Sequence, residues 1–138
     1  MTMNRKSAPA QWLSSPPFYA HLGLELDELA DGRSVIRMPF RKHLGNSRGE
    51  VHGGALATIM DAAMSQAVRS MAEPGVAAAT ISMTLNYFAP AHGEVKCTGR
   101  IVKGGRRVVF AEAEVIDERG TLACRATATF RVLPKKEG

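Results

Sequence analysis

Residues 51–68 read Val51-His52-Gly53-Gly54-Ala55-Leu56-Ala57-Thr58-Ile59-Met60-Asp61-Ala62-Ala63-Met64-Ser65-Gln66-Ala67-Val68, and between His52 and Arg69 the single charged side chain is Asp61. Leu56, Ile59, Met60, Ala63, Ala67 and Met71 fall at i, i+3 and i+4 spacing, which predicts one helix with a continuous apolar stripe. The other faces carry Ala57, Ala62, Met64, Ser65 and Val68, so the helix is apolar nearly all round and is expected to be enclosed rather than laid on a surface. Glu73-Pro74-Gly75 is expected to stop it.

Working outward, the segments on either side read as strands. Leu24–Leu29 and Ser34–Pro39 flank Asp31-Gly32, the pattern of a hairpin. Polar residues 39–50 form a loop. After the helix come four extended runs: 80–88, 94–103, 107–116 and 122–132. In the first, Ile81, Met83, Leu85 and Tyr87 alternate with Thr80, Ser82, Thr84 and Asn86. In the last, Leu122, Cys124, Ala126, Ala128, Phe130 and Val132 alternate with polar or small residues. Two strands, one enclosed helix and a four-stranded meander predict an α+β fold, a single antiparallel sheet curled around one helix. The domain is expected over 18–133, with tails at 1–17 and 134–138, a short turn at Ala8–Leu13 and a short helix at Phe18–Leu22.

Composition narrows the function. The chain has 138 residues with 45% apolar content, enough for one domain with a real core. No apolar run approaches the roughly 18–20 residues of a membrane span, and the N-terminus is not shaped like a signal peptide, so a cytoplasmic location is expected. Cys97 and Cys124 sit in strand-like segments and read as buried reduced thiols. His21, His43, His52 and His92 are scattered without metal-ligand spacing. The net charge of +5 includes a local cluster at Lys103, Arg106 and Arg107, but aromatics are only 6% and no nucleic-acid signature is present.

The chemistry concentrates at the helix start. The first N–H groups of a helix have no intrahelical partner and attract negative charge. Glycine at 53 and 54 lets a ligand carbonyl approach those amides closely, as an oxyanion hole in acyl transfer requires. Asp61 supplies a carboxylate that can act as general base or nucleophile. Both features also have plainer readings: the glycines fit close packing or a turn, and Asp61 fits a bond to a hydroxyl or a partner's backbone. Eight residues separate Gly53 from Asp61, which is roughly 12 Å along a helix. An oxyanion donor and a base must both lie within about 3 Å of one reacting group. One copy of the helix does not easily supply both, so the spacing predicts a homodimer with shared sites.

The stretch Asn46-Ser47-Arg48-Gly49-Glu50-Val51-His52-Gly53-Gly54-Ala55, followed by Asp61, resembles the hotdog-fold acyl-CoA thioesterases of the phenylacetate-degradation type. The likeness runs from about Phe18 to Leu133 and includes Asn86-Tyr87-Phe88-Ala89-Pro90-Ala91. It implies that the Gly53 amide polarises the thioester carbonyl, with Gly54 beside it. Asp61 of the opposite subunit would activate water or attack directly, and Asn46 would hold the thioester or the water. His52 would orient the site and Thr80 would bind the water. Lys103, Arg106 and Arg107 would take the coenzyme A phosphates. The resemblance implies no cofactor and no metal, and a dimer or dimer of dimers. The acyl group is expected to be aromatic or of short to medium length, lined by Met60, Met64, Phe18 or Tyr87. The alternatives are a non-catalytic acyl-CoA-binding protein and a hotdog dehydratase or hydratase with His52 as base.

Overall fold

A computed structural model describes residues 16–73 and 76–133. The expected turn at Ala8–Leu13, the Pro74-Gly75 stop and the tail 134–138 lie outside these residues. The chain forms α1 (Pro17–Leu22), β1 (Glu25–Ala30), β2 (Arg33–Met38), a 3-10 turn (Lys42–Leu44), α2 (Gly53–Ser70), β3 (Ala77–Tyr87), β4 (Val95–Lys103), β5 (Val108–Ile116) and β6 (Leu122–Leu133). All strand pairs are antiparallel, in one sheet of order β1-β2-β4-β5-β6-β3. The sheet curls around α2.

The hairpin forms where the sequence places it. Asp31 and Gly32 both have positive φ, 46° and 82°, as the tight two-residue turn between twisted strands demands. The helix is enclosed as its composition predicts: eleven of its residues, from Ala55 to Val68, are buried. Met71 departs from the expected stripe. The helix ends at Ser70, so Met71 leaves the apolar face and is 62% exposed. Cys97 and Cys124 are free and buried, separated by Val115 on the intervening strand. Burial raises both thiol pKa values, that of Cys124 to about 11.

The helix rests directly on β4 and β2. A Cβ at Gly99 would lie 2.5 Å from the Ala63 carbonyl carbon and 2.8 Å from the Met64 nitrogen. Ser34 Oγ donates to the Ala63 carbonyl at 2.6 Å. These contacts lock the middle of α2 to the sheet and so fix where its N-terminus and Asp61 come to lie. Gly99→Ala is expected to destabilise the fold by about 1–3 kcal/mol, read as a lower urea midpoint at unchanged m-value.

Two features differ from the expected meander. β3 pairs with β6, not with β4. Residues 88–94 carry the chain from the sheet edge back to its centre, a longer path than a hairpin. The second difference is a register shift between Thr80 and Ser82. Thr80 pairs with the buried Phe130, whereas Ile81 is 56% exposed. A strict alternation would point Ile81 inward and Thr80 outward. The bulge adds one residue and turns Thr80 to the helix side.

Among the described residues, the outer edge of β3 has no strand partner. This edge runs eleven residues and carries no lysine or proline that would discourage pairing with another chain. No helix among the described residues is long and apolar enough to cross a membrane.

Candidate active site

The loop before α2 is built from its own polar groups. Asn46 Oδ1 accepts from the N–H of Arg48 at 2.9 Å and of Glu50 at 3.1 Å. Asn46 Nδ2 donates to Glu50 Oε1 at 3.2 Å, and Arg48 Nε donates to the same oxygen at 2.8 Å. The bond from Asn46, then that from Arg48, hold the Glu50 carboxyl below its usual range. Val51 N–H bonds to the Ala91 carbonyl and His52 N–H to the Leu44 carbonyl. The loop thereby delivers the chain into α2 at a fixed angle.

His52 is the N-cap. Its Nδ1 accepts from the Gly54 N–H at 2.8 Å. A backbone N–H can only donate, so Nδ1 carries the lone pair and the ring proton sits on Nε2. Ala55 and Leu56 N–H bond to the His52 carbonyl. Gly53 N–H therefore remains the amide of the first turn without an acceptor among the described residues. It opens onto a cavity of about 360 Å³. Asn46, Arg48, Glu50 and Tyr87 supply the polar lining, and Leu56, Phe88 and Pro90 are among the apolar residues.

Asp61 and Thr80 form a second cluster. Thr80 Oγ1 donates to Asp61 Oδ1 at 2.6 Å, the contact that the bulge in β3 makes possible. Tyr19 on α1 is packed against the core nearby. Burial, and then the Asp61 charge, raise the pKa of its phenol. Neither Asp61 nor Thr80 lines the Gly53 cavity. Along β3, Thr80 and Tyr87 are seven residues apart, about 23 Å. The chain thus holds two separate clusters: an open amide with a cavity, and a carboxylate held by a hydroxyl.

The remaining expected residues divide between the two ends. Lys103, Arg106 and Arg107 are exposed around the β4–β5 turn. Val108 pairs with Arg131, and Arg131 with Ala79, so this turn lies at the Thr80 end of the sheet, away from Gly53. Met60 and Met64 are wholly enclosed in the core and do not line the cavity. Phe18 is exposed on α1 and also lies outside the lining. Tyr87 does line it. Sequence reasoning missed Glu50, whose only signal was an acidic residue two positions before the His-Gly-Gly. It also missed the hydroxyl of Tyr87, which donates to the Gly53 carbonyl at 2.7 Å.

A single antiparallel sheet curled around one helix, with an open glycine amide at the helix start, is the hotdog arrangement. The chain belongs to the thioesterase superfamily, whose sequence profile matches residues 48–124. A protein of Halobacterium salinarum, provisionally named an esterase, is 35% identical over 111 residues, covering 77% of this chain and 74% of that one. Acyl-coenzyme A thioesterase 13 of Mus musculus is 26% identical over 121 residues, 86% of each chain. The solved structure of a conserved protein from Pseudomonas aeruginosa superposes with a TM-score of 0.84 at 34% identity, covering 91% of this chain and all of that one.

Proposed function

We propose that this chain is an acyl-CoA thioesterase that converts an aromatic or short- to medium-chain acyl-CoA and water to a carboxylic acid and coenzyme A. Asp61 takes a proton from water, or attacks the acyl carbon itself to form a mixed anhydride that water then hydrolyses. In the water route the oxygen attacks the thioester carbon. The negative charge that develops on the carbonyl oxygen is taken by the Gly53 N–H and the positive end of the α2 dipole. Collapse of the tetrahedral intermediate breaks the C–S bond, and the departing thiolate takes up the proton that Asp61 removed from water, which restores the carboxylate. Thr80 holds Asp61 in place, and the reaction calls on no metal or cofactor.

The observation that carries this reading is the separation of the two clusters along a β3 edge that has no strand partner among the described residues. An antiparallel β3–β3 pair with its two-fold axis near Met83 and Thr84 would bring Thr80 of one protomer opposite the Tyr87 end of the other. Each Gly53 amide then meets the partner's Asp61, and C₂ symmetry makes the site twice. The same operation carries Lys103, Arg106 and Arg107 towards the partner's Gly53 cavity, where coenzyme A phosphates would sit. Further assembly into a dimer of dimers would use another surface, because the β3–β3 pair occupies this edge. The dehydratase alternative is disfavoured by His52, whose lone-pair nitrogen is committed to Gly54.

The test is release of free thiol from aromatic, short, medium and long acyl-CoA substrates. Turnover on the aromatic or shorter acyl groups is expected. Saturable binding of these acyl-CoAs without thiol release would contradict hydrolysis and favour a binding protein.

A further inference from the structure

We propose that Tyr87 is a positioning residue for the oxyanion half-site, acting through a hydrogen-bond chain that fixes both His52 and the first peptides of α2. The inference rests on the thioesterase reading above for its kinetic consequence, but not for its structural one. The chain has two links. Tyr87 Oη–H donates to the Gly53 carbonyl at 2.7 Å. The N–H of the same peptide unit, that of Gly54, donates to His52 Nδ1 at 2.8 Å.

A donor on an amide oxygen polarises the amide and strengthens its N–H as a donor in turn. The phenol therefore reinforces the bond that places the His52 proton on Nε2. It also fixes the plane of the Gly53–Gly54 peptide, which determines that Gly54, and not Gly53, is spent on the cap. The ring itself lies across Gly53, since a Cβ there would be 3.3 Å from both Tyr87 Cζ and Oη. Burial, and then Cys124, raise the pKa of the phenol and keep it protonated as a donor. Among the described residues, its hydroxyl is the one side-chain group bonded to that peptide from outside the helix and its cap.

Tyr87→Phe retains the ring against Gly53 and removes only the donor. The expected result is a fall in kcat of about 3- to 10-fold, the range of one hydrogen bond, with KM within about 2-fold. In a His52→Ala background the same substitution is expected to change kcat by less than about 2-fold, because the chain is already broken. A readout independent of activity is the ¹⁵N spectrum of the histidines, with His52 assigned by difference from His52→Ala. The wild-type ring is expected to show one tautomer, protonated at Nε2, and Tyr87→Phe a mixture of the two. An unchanged His52 tautomer in Tyr87→Phe would overturn the proposal even if the chain hydrolyses thioesters. So would kinetic effects of the two substitutions that simply multiply. A protein without thioesterase activity would sink the catalytic reading, while the tautomer shift would still decide the positioning role.

Discussion

Asp61→Asn is expected to lower kcat by about 10²- to 10⁴-fold, the range for loss of a general base, with KM for the acyl-CoA nearly unchanged. The substitution keeps shape and volume. Thr80 Oγ1 still finds an acceptor in the amide oxygen at the Oδ1 position, so the 2.6 Å contact can persist and the fold is not disturbed. Only the basicity is lost. The measurement is thiol release under saturating substrate, with thermal unfolding as the control for folding. Equal turnover in wild type and variant would remove Asp61 from the mechanism.

Gly53→Val is expected to cost about 10²- to 10³-fold in kcat, the cost of removing an oxyanion donor. The new Cβ would stand 3.3 Å from Tyr87 Cζ and Oη, and a branched side chain at that point covers the amide and fills the mouth of the cavity. The N–H is still present, so the loss is one of access. Steady-state kinetics check this, and retention of wild-type turnover would show that no ligand oxygen approaches Gly53. Gly54→Ala acts differently: the Gly54 amide is already bonded to His52, and the new Cβ would stand 3.1 Å from His52 Nδ1, so any loss comes through the cap.

Much of this arrangement is legible in the sequence because the relevant signals are local. The stripe from Leu56 to Ala67, the lone Asp61 and the paired glycines together specify an enclosed helix with a polar event at its start. The Asp31-Gly32 turn needs only its own two residues. The partner of a strand is not a local property, so β3 reads as the neighbour of β4 when it pairs with β6. A bulge is equally hidden. Thr80 and Ile81 alternate faultlessly in sequence, and only the pairing with Phe130 shows that one residue has been added. That addition is what turns Thr80 towards Asp61, so a break in the strand's alternation built half of the candidate site.

The site residues divide in the same way. Gly53 and Asp61 are visible because their types are out of place in an apolar helix. The Tyr87 hydroxyl is not: the ring reads as pocket lining, but nothing local in the sequence shows that its hydroxyl meets the Gly53 carbonyl. Met60 and Met64 read as pocket lining from size and position, yet both point into the packed sheet at 0% exposure. Their helical face is decided by Gly99 and Ser34, residues far away in sequence.

The central claim is that each site draws Gly53 from one protomer and Asp61 from the other. It is tested most directly by mixing the two inactive variants, Asp61→Asn and Gly53→Val, under conditions that exchange subunits. With equal amounts and random pairing, half the dimers are mixed, and each mixed dimer regains one intact site of two. Activity is then expected to return to about a quarter of the wild-type value. A mixture that stays as inactive as its components, with subunit exchange confirmed by mass, would show that the two residues do not meet across a subunit boundary.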